Sequence, residues 1–251
     1  MSMSIDAQNP GHVFACFGIA ELCGRMAADS SFSFDLSFGD ERFLLRGPFE
    51  EAMRSLLSDQ TRLEVIPKAN AGNNDPDYAD PVLLSLPSFD PIRLNWWFRP
   101  GEIQTIPLLK LWAGQRDSRQ IFLGFFSDCR TLAKRCDLEL SHWQEWRSDR
   151  PNLGVDPSMA WTARDSGHSL DASKEHSPNH PMVELLASIG LLWSRLMSPR
   201  NKLEYFLWRR PLTLPSARLA SAGLLPLVGN RYRVGFDLRG KNKNLQYAEC
   251  L

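Results

Sequence analysis

The stretch 9–26 constrains this chain's fold more than any other. Asn9 has a short side chain that can accept from the first free N–H groups of a helix, and Pro10 behind it lacks only an N–H that would have no partner there. Val13, Phe14, Phe17, Ala20 and Cys23 then recur at helical spacing, which predicts an amphipathic helix. Gly18 and Gly24 interrupt it, and each costs about 1 kcal/mol relative to Ala in a helix interior. A helix that tolerates both is expected to be central, with neighbouring backbone close against it.

At 251 residues the chain can bury a sizeable core, as one domain or as a small domain with a long insertion. No apolar run reaches membrane-spanning length and no basic-then-apolar leader follows Met1, so the expected location is cytoplasmic, with no membrane partner. The 5 cysteines form no Cys-x-x-Cys pair, as suits a reducing compartment. Formal net charge is zero, but residues 1–80 hold six Lys/Arg against thirteen Asp/Glu and residues 200–251 hold ten against three. Such a basic end can meet phosphate without the whole chain being basic, or can neutralise the acidic end or a protein partner.

After the first helix, Phe32, Phe34, Leu36 and Phe38 alternate with small or polar residues, a strand with one buried face. A turn at Gly39 and Asp40 leads to a returning strand at 42–46. A second helix is predicted over 49–58, with Glu50 and Glu51 where they complement its dipole, and a strand over 63–67. With a short first strand at 3–6, the order over 1–68 is βαββαβ. The fold class is therefore α/β of the α+β kind: a ferredoxin-like, RNA-recognition-type core over 1–68, an insertion or second half over 69–180, and a helix-plus-basic-strand portion over 181–251, possible as one continuous domain. Further expectations are a loop over 69–80, strands at 92–97, 121–126 and 159–162, helices at 106–113, 128–136, 181–197 and 215–222, and an alternating strand over 232–239. The segment 182–192 echoes the texture of 13–22, as the packed pair of a duplicated fold would.

Cys16 and Cys23, like Cys129 and Cys136, stand seven apart, which on a helix separates the sulfurs by ~10.5 Å, too far for one metal; a buried-core role is expected. His168, His176 and His180 lie in a polar segment where Pro178 argues against a metal-holding helix, so they read as loop histidines. His12 sits at a helix N-terminus, where an anion such as phosphate can dock and where capping is the competing role. No phosphate-binding glycine loop, nucleophile elbow or zinc-protease pattern is present, and no nucleophile, base and orienting group assemble; no catalytic residue, metal or cofactor is expected. What remains is basic residues interleaved with aromatics. Arg93 and Arg99 flank Trp96 and Trp97; Lys202, Arg209 and Arg210 accompany Tyr205 and Trp208; Arg231, Arg233, Arg239, Lys241 and Lys243 run along the tail. Cations hold a nucleic-acid backbone and flat rings stack on bases, although these tryptophans are equally suited to a core.

The segments Asn9-Pro10-Gly11-His12-Val13-Phe14-Ala15-Cys16-Phe17-Gly18-Ile19-Ala20-Glu21-Leu22, Ala160-Trp161-Thr162-Ala163-Arg164-Asp165-Ser166-Gly167-His168-Ser169, Val183-Glu184-Leu185-Leu186-Ala187-Ser188-Ile189-Gly190-Leu191 and Trp208-Arg209-Arg210-Pro211-Leu212 resemble CRISPR-associated proteins of the type I-U/I-G group, the Csb-type subunits. The resemblance implies a RAMP-like, ferredoxin-like subunit of the RNA-guided surveillance complex (Cascade) in antiviral defence, a non-enzymatic binder of CRISPR RNA or target DNA in contact with other effector subunits. It supplies no catalytic residue. A RAMP-type RNA-processing endonuclease using His12, and a protein-only adaptor whose basic tail meets an acidic neighbour, are the other readings.

Overall fold

The computed structural model describes residues 1–66, 81–97, 111, 118–135, 140–149, 153–159, 179–197, 202–239 and 242–251. The chain opens with β1 (Ser2–Ser4), α1 (Pro10–Met26), β2 (Ser31–Asp35), β3 (Arg42–Arg46), α2 (Phe49–Leu57) and β4 (Arg62–Val65). This is the expected βαββαβ order, and β1, β3 and β2 form an antiparallel sheet in the order β1-β3-β2. The ferredoxin-like core itself is not formed, because β4 does not join that sheet. It pairs antiparallel with β5 (Val82–Leu86), which pairs with β6 (Phe89–Leu94), giving a second sheet. Residues of a helical turn at Leu140–Glu145 lie against β1 instead: the Gln144 side chain donates to the Ser4 carbonyl at 3.0 Å and the Trp143 indole N–H to the Met3 sulfur at 3.4 Å.

The architecture is mixed α+β. In the remainder, α3 (Ser118–Arg135) is stapled to the end of α2 and to β4 by Arg130, which donates to the carbonyls of Leu57, Ser58 and Thr61, and by Arg119, which donates to that of Leu63. Then come α4 (Pro181–Gly190), β7 (Arg195–Met197), β8 (Lys202–Trp208), α5 (Leu214–Ser221), β9 (Gly229–Val234), the paired β10 (Phe236–Arg239) and β11 (Asn242–Leu245), and β12 (Glu249–Cys250). A third antiparallel sheet has the order β12-β9-β8-β7. Trp208 and Leu212 tie it to the first sheet: the Trp208 indole donates to the Phe32 carbonyl, and Phe32 and Leu212 exchange backbone hydrogen bonds at 2.9 Å.

The α1 helix is not amphipathic. From Pro10 to Cys23 every residue except His12 is buried, and Phe17 is surrounded by the rings of Phe14, Phe34, Trp193 and Trp208. Its one internal acid, Glu21, accepts from the guanidiniums of Arg25 and Arg218 and from the Trp193 indole. Burial alone would raise the Glu21 pKa, and these three donors overcome it and hold it low. The two glycine-bearing helices lie side by side with their N-termini together. A Cβ on Gly18 would stand 2.1 Å from the Leu186 carbonyl oxygen, and one on Gly190 only 1.8 Å from that of Phe14. The textural echo between 13–22 and 182–192 is thus a packed pair, although the sheets beside the two helices differ in strand order.

Several expected elements are corrected. Residues 121–126 are not a strand but part of α3; Phe122, Phe125, Phe126 and Cys129 are buried at helical spacing, which the run of apolar neighbours obscures. The helix expected over 181–197 stops at Gly190 and passes through a tight turn at Leu191–Trp193 into β7. That turn brings Trp193 onto Phe17, with ring centroids 5.1 Å apart, and aims its indole at Glu21. The strand over 232–239 breaks at Gly235, where β9 leaves off and β10 turns out to pair with β11; a Cβ there would meet the Gln246 amide oxygen at 2.3 Å. Residues 157–159 form a short helical turn. The helix over 106–113 and the loop over 69–80 fall outside the described residues, Leu111 apart.

Gly18→Ala and Gly190→Ala are each expected to lower stability by about 1–3 kcal/mol or more, since backbone cannot give way as a side chain can. Gly39→Ala, at a φ of +78° in open space, is expected to lose only about 1–2 kcal/mol from the left-handed backbone. Urea unfolding midpoints of the three variants against the parent check the ranking.

Candidate functional site

A buried polar cluster forms where the N-termini of α1 and α4 meet. Asn9 caps α1, its side-chain oxygen accepting from the backbone N–H of Gly11 at 2.8 Å and of His12 at 3.4 Å. Its amide nitrogen donates to Asp156 at 2.8 Å. The same Asp156 oxygen accepts from the backbone and hydroxyl of Ser158 at 3.0 and 2.6 Å, and its other oxygen takes the N–H of His180 at 2.9 Å. His180 is the residue before α4, so one carboxylate bonds the cap residue of each helix. Next to it Glu184, in the first turn of α4, accepts long hydrogen bonds from the N–H groups of Val155 and Asp156 at 3.4 and 3.5 Å.

The geometry explains Pro10-Gly11. A Cβ on Gly11 would stand 2.8 Å from the Asp156 Cα, so the position near the α1 N-terminus where phosphate was anticipated is filled by the protein's own carboxylate. His12 is half-buried, and its Nδ1 accepts from the Asp6 backbone N–H at 3.3 Å. Burial lowers its pKa, with His180 adding to that and Asp156 and Asp6 opposing it. For Asp156 burial works upward, yet the hydrogen bonds from His180, Ser158 and Asn9 win and bring it down to about 2. Glu184 has only the long backbone bonds to hold it down. Burial first, then the neighbouring Asp156 charge, push its carboxyl up to about 8. Ser158 spends its hydroxyl on Asp156, and the hydrogen bonds of the cluster join three segments distant in sequence.

The sequence reading missed Asp156 and Glu184; His180 does lie in non-helical chain, as expected, at the residue before α4. Glu184 in a helix's first turn was the one available signal; Asp156 shows locally only a turn with Ser158, and gains Asn9 and His180 through the fold. The thiols of Cys16, Cys23 and Cys129 are buried, as expected, and burial raises the pKa of each, that of Cys23 to about 12; Cys136, His168 and His176 lie outside the described residues.

The expected nucleic-acid residues are dispersed. Arg93 stands exposed on β6 between the buried Ile92 and Leu94, and Arg209 and Arg210 are exposed just after β8. Arg231 and Arg233 share one face of β9, where both donate to Glu204 on β8, so their charge is partly met at home. Lys202 begins β8, and its side chain, like Arg99 and Lys241, lies outside the described residues. Arg239 and Lys243 lie on the β10–β11 ribbon, opposite Asn242 and Leu238 respectively. The ribbon's base is anchored beside the polar cluster, with the Leu245 N–H on the Gly154 carbonyl at 2.7 Å. The aromatics expected to interleave with these cations are core: Trp97, Trp208, Tyr205 and Tyr232 are buried, and the Trp96 indole donates to the Ser188 carbonyl. They offer no stacking platform.

Among the described residues no helix is long and apolar enough to cross a membrane. Compared with protein-family models, with curated proteins and with solved structures, the chain has no match.

The two carboxyls give opposite pH signatures. Between about pH 4.5 and 8 folded Glu184 keeps a proton that the unfolded chain has released, so its contribution weakens as pH rises, by at most about 1.4 kcal/mol per unit. Asp156, lowered from 3.8 to about 2, stabilises above that window and loses its effect as pH falls through it. Glu184→Gln is expected to flatten the stability profile between about pH 5 and about pH 8, whereas Asp156→Asn loses about 3–5 kcal/mol throughout that range. Urea titrations at both ends of the range read the difference.

Proposed function

We propose that the protein is a non-catalytic subunit of a CRISPR RNA-guided surveillance complex, and that it grips the backbone of guide RNA or target DNA with the basic ribbon at 236–245. The observation that supports this reading is the antiparallel pairing of β10 with β11, which sets Arg239 opposite Asn242 and Lys243 opposite Leu238 on one short ribbon. From Leu238 to Leu245 that segment holds no acidic residue. The sequence adds Lys241 between Arg239 and Lys243, and such a run of cations suits phosphate, which is read by charge and not by sequence. Arg93, exposed on a separate sheet, adds a further contact for a long strand. The CRISPR assignment rests on the resemblance set out above. The cluster at Asp156 is self-satisfied and is assigned a structural role.

The test is binding of labelled single-stranded RNA, single-stranded DNA and duplex DNA across a salt series. The parent is expected to bind a single strand with a steep salt dependence, and the Arg239→Ala, Lys241→Ala, Lys243→Ala combination to reduce the slope of log K against log salt by about 2. A parent that binds none of the three, or a triple variant with the parent's slope, overturns the ribbon as a phosphate contact and leaves the adaptor reading in its place.

A further inference from the structure

Two exposed apolar features lie on segments that meet around residues 209–212, where Leu212 bridges to Phe32 on β2 and the Arg209 N–H bonds the Val228 carbonyl. The first is Phe38, fully exposed at the β2–β3 turn. Its turn is braced: the Asp35 carboxylate accepts from the Ser37 backbone and hydroxyl at 3.2 and 2.7 Å, the Asp40 N–H reaches the Ser37 carbonyl at 3.1 Å, and Arg42 bonds Asp40 at 2.9 Å. The second is the uncharged run 224–228 between α5 and β9, in which Leu224 and Val228 are 55% and 72% exposed, with Leu219 beside it. This loop borders a cleft of about 270 Å³ lined in part by Phe206, Ala222, Leu225 and Leu227.

Both features carry charge, and of opposite sign. Around Phe38 are Asp35, Asp40 and Glu41, offset by Arg42; around the loop are Arg209, Arg210 and Arg231, offset by Glu204. Arg209 links them: its N–H bonds the Val228 carbonyl at 3.3 Å, and its charge helps lower the exposed Asp35, chiefly held down by Ser37. An edge that holds an acidic apolar knob next to a basic apolar hollow is self-complementary under a two-fold rotation.

We propose that this edge is an interface with a second copy of the chain, in which the Phe38 ring of each copy enters the cleft bordered by the 224–228 loop of the other, with the acidic turn against Arg209 and Arg210. The contact leaves the basic ribbon out of the interface and does not depend on the nucleic-acid reading. The experiment is sedimentation velocity of the full chain over about 1–100 µM without nucleic acid. The parent is expected to pass from monomer toward dimer across that range, less readily at high salt. Phe38→Asp and Val228→Asp, both at exposed positions, are each expected to weaken association about 30-fold or more with unchanged thermal unfolding of the monomer. A parent that stays monomeric at every concentration, or a Phe38→Asp protein that dimerises as the parent does, overturns the proposal; in the first case the edge is open to a different protein.

Discussion

The structure depends on one close approach of backbone to backbone, at Gly18 and Gly190. Each glycine stands where a Cβ would press on a carbonyl of the facing helix, so α1 and α4 come nearer than helices with side chains at the crossing can. The gain is dispersion contact along the whole length of two buried helices, and it outweighs the roughly 1 kcal/mol that each glycine costs in propensity. Everything else is arranged around the pair. One sheet covers α1 through Phe34, another through Trp208 and Tyr205, and α3 packs on α4.

A helix buried on all sides has no polar face on which to place a charge, and two acids handle this differently. Glu21 is neutralised by Arg25 and Arg218, which reach in from partly exposed positions, and by Trp193. Glu184 has no cation beside it and keeps its proton. Asp156 lies between these cases, charged and buried, with hydrogen-bond donors in place of a full counter-charge. Its location near the N-termini of both helices supplies the rest, since two sets of aligned peptide dipoles favour an anion there. The same place in another protein would invite a phosphate. Here the chain closes it with its own side chain, and the opposite ends of the molecule are pulled together at that point, Gln8 accepting from the N–H of Ala248.

The surface follows from what the core consumed. The aromatics expected beside the arginines, Trp97, Trp208, Tyr205 and Tyr232, were taken into the interior. Glu204 takes up part of the charge of Arg231 and Arg233. Outside the core, Phe38, Leu224 and Val228 stand in the open.

Local chemistry determined a good deal. The Asn9 cap, the Pro10 and Pro181 starts and the burial of Cys16 and Cys23 all act over a few residues, and the structure has each of them; the alternation expected through Phe38 is not kept, for β2 ends at Asp35, Ser33 is buried between Phe32 and Phe34, and Phe38 is fully exposed. Even the need for backbone beside α1 was legible, because a glycine inside a helix is unfavourable unless something repays it. Pairing between distant segments was not legible. Whether β4 closes the first sheet or starts another depends on what reaches β1, and the answer, Trp143 and Gln144, comes from about 140 residues away in sequence. The apolar run 121–126 has no period that separates strand from helix until a core exists for one face to meet. Asp156 with its neighbour Ser158 looks like any loop turn until folding brings Asn9 and His180 to it. Short-range preferences are carried by the chain itself, but the partners of a buried charge and the neighbours of a strand edge exist only once long-range contacts have formed, so those were decided by the tertiary structure alone.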